Sequence, residues 1–315
     1  MILETKRLIL RPWEESDAEE CYKYAKDPLV GPICGWMPHT SAEESKAIIK
    51  NVLSVPETYA VIWKETNLPI GNIALKMGTD TDLTEKEDEC ELGYWLGVPY
   101  WGKGIMPEAA EELLRHAFED LGMKKVWCAY YDGNEKSKRV QEKCGFQYQW
   151  TTHDVDVPRL QEKRTGHVNC LTKKEWDRRK QQELGVHLLK SCDTLLLGVI
   201  DENGFPAIYP MEKVTSVGIE KVLFITKIDS DKVKAICKCE KGCIECYADE
   251  SIVWLWGNIE IIKDFEKIKR ILPEKYWERL MKHENYRGYC VLFFKTKTAK
   301  IYVDGEKYVL REGLL

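Results

Sequence analysis

The six residues Trp101-Gly102-Lys103-Gly104-Ile105-Met106 have the make-up of an anion-binding turn. A glycine-rich turn between a strand and a helix lets backbone N–H groups approach a pyrophosphate, and the helix N-terminus adds roughly half a positive charge facing it. Gly102 and Gly104 permit the approach, and Lys103 can add a solvent-side contact. Pro107 falls in the first helical turn, where its missing N–H would have had no partner in any case. An ordinary strand-to-helix turn has the same composition, so the surrounding residues must decide between the two.

Before the loop stands Cys90-Glu91-Leu92-Gly93-Tyr94-Trp95, and about thirty positions after it come Asn134, Ser137, Val140, Lys143, Gly145 and Phe146. With the opening Glu4-Thr5-Lys6-Arg7-Leu8-Ile9-Leu10-Arg11, this layout resembles the GNAT acetyltransferases related to ribosomal-protein alanine acetyltransferases, from Met1 to about Arg178. The resemblance implies an acetyl-coenzyme A dependent N-acetyltransferase acting on an amine. It assigns the cofactor to Leu96, Gly97, Val98, Gly102, Lys103, Gly104, Ile105, Met106 and Asn134. The family's loop runs Arg or Gln, two residues, Gly, one residue, then Gly or Ala; here those places hold Trp101, Gly104 and Met106. Because the phosphate contacts come from backbone N–H groups, the departures leave the principal donors in place.

Acetyl transfer needs an acceptor for the amine proton, a donor for the developing oxyanion and a proton source for the departing thiolate. The resemblance implies Glu91 for the first, acting directly or through water, and the backbone N–H of Leu96 or Gly97 for the second. For the third it implies Ser137, with Tyr131 as a rival. Asn134 reads equally as a cofactor contact and as a helix N-cap, and Ser137 equally as an acid and as a locally bonded first-turn serine. Trp36, Tyr59, Trp63 and Tyr94 are aromatic candidates for the acceptor pocket or for core. The acceptor class stays open among a protein N-terminal amine, a polyamine and an aminoglycoside-like amine.

Elements of the expected types surround these residues. Arg7 to Trp13 alternates as a first strand, and helices start near Ser16-Asp17 and Ser41, each with a hydroxyl placed to cap. Thr58 to Trp63 and Pro69 to Leu75 form a hairpin, Cys90 to Leu96 a strand, and Pro107 to Gly122 an amphipathic helix. Lys125 to Tyr131, a short helix from Asn134 to Cys144, and strands near Phe146–Val155 and His167–Leu171 complete the first half. The polar run from Lys173 to Gln182 reads as a solvated connector helix.

Beyond it the chain turns to strands: Thr194 to Ile200, an Asn203-Gly204 hairpin turn, Phe205 to Met211, Lys221 to Ile225, Cys243 to Tyr247, Ile252 to Ile262 and Tyr289 to Val303. Helices are expected from Asp231 and over Asp264 to Lys282. From about Gly185 this part resembles the flavin-binding split barrels related to pyridoxamine 5'-phosphate oxidase, of the general stress protein and nitroimidazole-resistance branch. The carriers are the run from Leu197 to Pro206, Tyr209-Pro210-Met211, and Val222 to Thr226 leading to Ser230-Asp231-Lys232-Val233. The resemblance implies FMN, with its phosphate on Thr226, Ser230 and Lys232 and with Tyr209 where the family often has Arg. It also implies a homodimer through the barrel.

The fold class is therefore α+β in two domains, a GNAT fold over residues 1–178 followed by a split β-barrel over residues 185–315. A flavin-dependent oxidoreductase with a degenerate first half and a non-enzymatic ligand-sensing dimer stand as alternatives. The net charge of −5 without a basic block argues against nucleic acid, and the absence of an apolar run approaching ~18 residues argues against a membrane span. With an N-terminus lacking the apolar core of a signal peptide, the protein is expected in the cytoplasm, its 12 cysteines reduced. Cys237, Cys239, Cys243 and Cys246 lack metal-ribbon spacing and are read as small buried thiols, with no metal expected.

Overall fold

The computed structural model describes residues 1–248, 250–303 and 305–311. The chain divides into two compact units, Met1–Trp176 and Asp177–Leu315.

In the first, alternation in β2 (Leu8–Arg11) buries Leu8 and Leu10 fully and turns Ile9 and Arg11 to the other face. The strand joins an eight-stranded sheet of order β1–β2–β3–β4–β5–β6–β8–β7. Its other members are β1 (Leu3–Glu4), β3 (Thr58–Trp63), β4 (Leu68–Lys76), β5 (Glu89–Leu96), β6 (Lys125–Tyr131), β7 (Gln147–Val157) and β8 (Glu162–Thr172). The helices are α1 (Ala18–Ala25), α2 (Ala42–Ile48), α3 (Ile105–Arg115) and α4 (Glu135–Lys143). One face of the sheet packs on α3 through Leu113 and Leu114 and on the helical turn that follows it, His116–Asp120, through Ala117 and Phe118. The other meets α1 through Ala18, Cys21 and Ala25 beside Trp13, Ala60 and Ile62.

All neighbouring strands are antiparallel except β5 and β6, whose parallel pairing spans only Glu89↔Lys125, Cys90↔Val126 and Glu91↔Trp127. Past that point the two strands share no register, and a wedge opens between residues 92–96 and 128–131.

Caps follow the sequence in part. Ser41 accepts the Glu44 N–H at 3.1 Å and starts α2 as expected. Ser16 caps nothing: its hydroxyl turns to Glu14, while the Asp17 carboxylate closes the turn on the Glu14 N–H and takes Arg11 at 2.7 and 2.8 Å. A charge-assisted bidentate pair outcompetes the weaker hydroxyl cap. The connector helix α5 (Lys173–Ser191) runs nine residues past its expected end at Gln182. Gly185, inside it, is a point of close approach, since a Cβ there would lie 2.8 Å from Ile301 Cδ1 and 3.0 Å from Ile219 Cγ2.

The second unit contains β9 (Thr194–Ile200), β10 (Pro206–Val217), β11 (Lys221–Lys227), β12 (Lys241–Ala248), β13 (Ser251–Ile262), β14 (Tyr289–Val303) and β15 (Glu306–Arg311). The order β11–β10–β9–β12–β13–β14 is closed by a β11–β14 pairing from Lys221↔Lys295 to Lys227↔Tyr289, giving a six-stranded antiparallel barrel with β15 against β14. Leu195, Leu197, Phe224, Ile244, Leu255 and Phe294 fill it. The helix α6 (Asp231–Lys238) stands where expected. The single helix expected over Asp264 to Lys282 is two, α7 (Phe265–Ile271) and α8 (Glu274–Met281), because Pro273 cannot continue a helix and disfavours helical geometry at Leu272. Architecture in both units is the mixed α+β arrangement, with the barrel second, that the sequence pointed to. No helix among the described residues is long and apolar enough to cross a membrane.

Candidate functional site

The glycine loop lies between β5 and α3. Gly102 and Gly104 have φ of +73° and +71°, a region that side chains with a Cβ rarely enter. The turn presents its backbone outward: among the described residues, the N–H groups of Gly102, Lys103, Gly104, Ile105 and Met106 make no hydrogen bond of normal length within the chain. Five successive free donors at a helix N-terminus form an anion cradle. Its frame is held from behind, where the Glu108 carboxylate takes Thr5 Oγ1 at 2.6 Å, the Arg7 N–H at 2.8 Å and Arg7 Nε at 2.6 Å. Arg7 Nη1 also donates to the Lys103 carbonyl at 3.0 Å. Trp101, in the place of the family's Arg or Gln, donates its Nε1–H to the Leu96 carbonyl at 2.7 Å and carries Lys136 Nζ 4.2 Å above its ring.

The wedge supplies a second set of donors. Gly97 N–H is committed to the Ile70 carbonyl at 2.9 Å. Antiparallel alternation then turns the N–H and C=O of Leu96, paired with Gly71, away from β4 and toward the wedge. Of the two expected oxyanion donors, Leu96 is therefore the open one. Val98 starts the following turn, its N–H also unbonded among the described residues. Gly97 is required by packing, because a Cβ there would meet the Tyr24 ring at 2.6 Å.

Across the wedge, α4 begins at Asn134, whose side chain accepts the Ser137 N–H at 3.1 Å, so its capping role is present. Ser137 Oγ lies 2.9 Å from Tyr94 Oη, accepts Gln141 Nε2–H at 3.2 Å, and Gln141 Oε1 in turn accepts from Asn169 at 2.6 Å. Tyr94 Oη also donates to the Ser137 carbonyl at 3.2 Å. One polar chain thus ties β8, α4 and β5 together around the wedge. Burial drives the Tyr94 phenol well above its ordinary pKa, with the nearby Cys128 thiol adding to the effect and hydrogen bonds from Ser137 and Gln141 opposing it.

Glu91, Gly93 and Trp95 lie by alternation on the opposite face. Glu91 receives Lys76 Nζ at 2.9 Å and Thr81 Oγ1 at 2.7 Å, one on each oxygen. Trp95 stacks on Trp13 with centroids 6.3 Å apart and meets Trp36 edge-on at 6.0 Å. Of the aromatic candidates, Trp36 joins this cluster and Tyr94 reaches the wedge. Tyr59 is buried and bonded to Glu57 at 2.7 Å and belongs to core, while Trp63 is partly buried and packs on Tyr100 against that core.

Among the described residues Tyr131 makes no hydrogen bond to Ser137. Its ring sits 3.1 Å from where a Gly35 Cβ would be, under the Arg164 guanidinium at 5.2 Å. Arg164 donates to the Pro32 carbonyl at 2.6 Å and lines an open cavity of ≈ 450 Å³ with Pro28, Leu29, Pro32, Ile33 and Asp132.

Sequence reasoning missed Lys136, Gln141 and Asn169. Gln141, four positions after Ser137 on one helix, carried a usable signal; Asn169 enters only through the Cys128↔Asn169 register.

In the barrel, Lys232 Nζ reaches Thr226 Oγ1 at 3.4 Å and lies 4.9 Å over the Tyr209 ring, so three of the four expected flavin residues converge. Ser230 precedes α6 but spends its hydroxyl on the Lys227 carbonyl at 2.8 Å. A lysine, a buried hydroxyl and a helix start suit a phosphate. Cys246 points into the barrel core and Cys243 lies against Gly198 outside it, on opposite faces of β12.

Residues 7–147 match the family model described as acetyltransferase (GNAT) domain, and the first domain belongs to that family. The p20 protein of Bacillus licheniformis, an uncharacterised N-acetyltransferase by name, is 28% identical over 159 residues, 49% of this chain and 86% of its own. A Bacillus subtilis protein provisionally named ribosomal N-acetyltransferase YdaF is 38% identical over 65 residues, 21% of this chain and 36% of its own. Among solved structures, a GCN5-related N-acetyltransferase from Brucella melitensis superposes with a TM-score of 0.50 at 18% identity, covering 65% of this chain and 90% of that one, a likeness of fold.

Proposed function

We propose that the first domain transfers acetyl from acetyl-coenzyme A to a primary amine, a protein N-terminus or a small amine, in the cytoplasm. The observation that carries this reading is the row of five free N–H groups from Gly102 to Met106 beside the β5–β6 wedge, within a GNAT domain. The loop binds the pyrophosphate, Leu96 N–H faces the thioester oxygen, and the wedge admits the pantetheine arm. Glu91 accepts the amine proton through water, since Lys76 and Thr81 hold both its oxygens. Ser137 delivers a proton to the departing sulfur, its hydroxyl poised between Tyr94 and Gln141. The provisional name of the Bacillus subtilis relative, a ribosomal N-acetyltransferase, supports a protein amine among these acceptors.

The barrel, in the same reading, holds FMN through Thr226, Ser230, Lys232 and Tyr209, supplying a redox-active group when bound. It pairs two copies of the chain through its outer face, where Leu196, Ile208 and Trp256 are exposed. Titration calorimetry with acetyl-coenzyme A, followed by thiol release with a panel of N-terminal peptides and polyamines, tests the first domain. Absence of both coenzyme A binding and thiol release would refute the assignment, and a colourless protein that takes up no FMN would refute the flavin part.

A further inference from the structure

Two thiols lie in contact within the second unit. Cys246, on β12, is 2% exposed; Cys192, immediately after α5, is partly exposed; their sulfurs are 2.7 Å apart. Non-bonded heavy atoms rest at about 3.5–4.0 Å, and a disulfide needs about 2.05 Å, so the pair is already most of the way to bonding distance. The remaining contacts leave the sulfurs free to approach, being weak bonds from Cys246 to the Leu188 carbonyl at 3.4 Å and from Cys192 to the Tyr247 carbonyl at 3.6 Å. Burial, with the neighbouring Cys192 sulfur, pushes the Cys246 thiol up to about 12, and the Lys213 ammonium, which donates to the Leu189 carbonyl at the end of α5, opposes that rise. Among the described residues no group of three or more His, Cys, Asp or Glu side chains that could hold a metal ion is found.

We propose that Cys192 and Cys246 form a peroxide-responsive dithiol that closes to an intramolecular disulfide. Cys192, the partly exposed thiol, attacks a hydroperoxide as thiolate; the O–O bond breaks, a sulfenic acid forms on Cys192, and hydroxide or alkoxide leaves and takes up a proton. The Cys246 sulfur then attacks Cys192, the S–O bond breaks, and water departs with the Cys246 proton. With hydrogen peroxide, two thiols lose two electrons and two protons and two waters form. A dithiol reductant reverses the change. The disulfide ties the end of α5 to β12 and closes the chain around β9, β10, β11 and α6, which lowers the entropy of the unfolded barrel.

The test uses the full chain treated with hydrogen peroxide, then unfolded, alkylated and weighed. The wild type is expected to lose two alkylatable thiols, to yield one peptide pair joining Cys192 to Cys246, to melt higher in its barrel transition, and to revert on reduction with a dithiol. Cys192→Ser abolishes all four changes, while Cys237→Ser, at an exposed lone thiol, retains them. Retention of all twelve alkylatable thiols after treatment overturns the proposal. So does Cys192 ending as sulfinic acid with Cys246 still free, or a linked pair that omits either residue. Cys192 is not buried, so its serine variant folds even where Cys246→Ser does not.

Discussion

Replacing Ser137 by Ala separates a proton donor from a structural serine because the two roles predict losses of different size. In the folded protein Ser137 Oγ accepts from Gln141 and donates to Tyr94, while Tyr94 retains the Ser137 backbone carbonyl as its acceptor. The variant removes one hydroxyl, leaves Tyr94 bonded and leaves Gln141 Nε2 short of a partner, so stability falls by about 1 kcal/mol. That is a shift of a few degrees in the melting temperature. A general acid contributes ~10²–10⁴-fold, or roughly 3–5 kcal/mol of barrier. Thiol release should therefore lose at least a hundredfold in kcat while KM for acetyl-coenzyme A changes little and the fold persists. Tyr94→Phe keeps the serine and its helix and should lose less. A kcat within about threefold of wild type in Ser137→Ala, alongside that small melting shift, would refute the acid role and leave Ser137 as the partner that positions Tyr94.

Gly104→Ala forces a Cβ into φ of +71° with no clash beyond 3.8 Å from Arg7, so the cost is conformational, about 1–2 kcal/mol, read in calorimetry as roughly 5–30-fold weaker acetyl-coenzyme A binding. Glu89 is buried, which opposes its charge, but Trp127, Thr84 and Lys86 bond it and bring its pKa down to about 2. Its folded pKa lies below its unfolded one, so the stability it contributes, roughly 3 kcal/mol, is present above about pH 4.5 and is lost as pH falls toward 2; acid denaturation of Glu89→Gln should be flatter over that window. Lys232→Ala should weaken FMN uptake ~10–100-fold, followed by fluorescence quenching, and leave acetyl transfer unchanged.

Much of the site could be read along the chain because it is local. The loop from Trp101 to Met106 and the cap at Asn134 each lie within one turn, and near-neighbour rules apply to them. What escaped depends on register. Tyr94 and Ser137 meet only because β5 and β6 part after Glu91↔Trp127, and no periodicity encodes where a parallel pairing stops. The partners of Glu91 were not legible either, because Lys76 comes from the neighbouring strand and Thr81 from an irregular stretch. Two misreadings of elements were avoidable by local chemistry: Pro273 was a helix break in plain sight, and Asp17 a stronger turn-former than Ser16. Gly185 was the opposite case, where a residue that usually ends a helix sits within one to let Ile219 and Ile301 approach.

The cradle at Gly102 to Met106 is made of main chain, and main chain is what mutation alters least. The donor array itself is one that any residue carrying an N–H reproduces; the Trp101 and Met106 side chains serve packing, and the two left-handed glycines are the array's hinges. Sequence drift can therefore rewrite side chains of this segment without removing its row of donors, and a Trp and a Met can stand in such a turn. The departures at Trp101 and Met106 change side chains and leave the main-chain donors where they were.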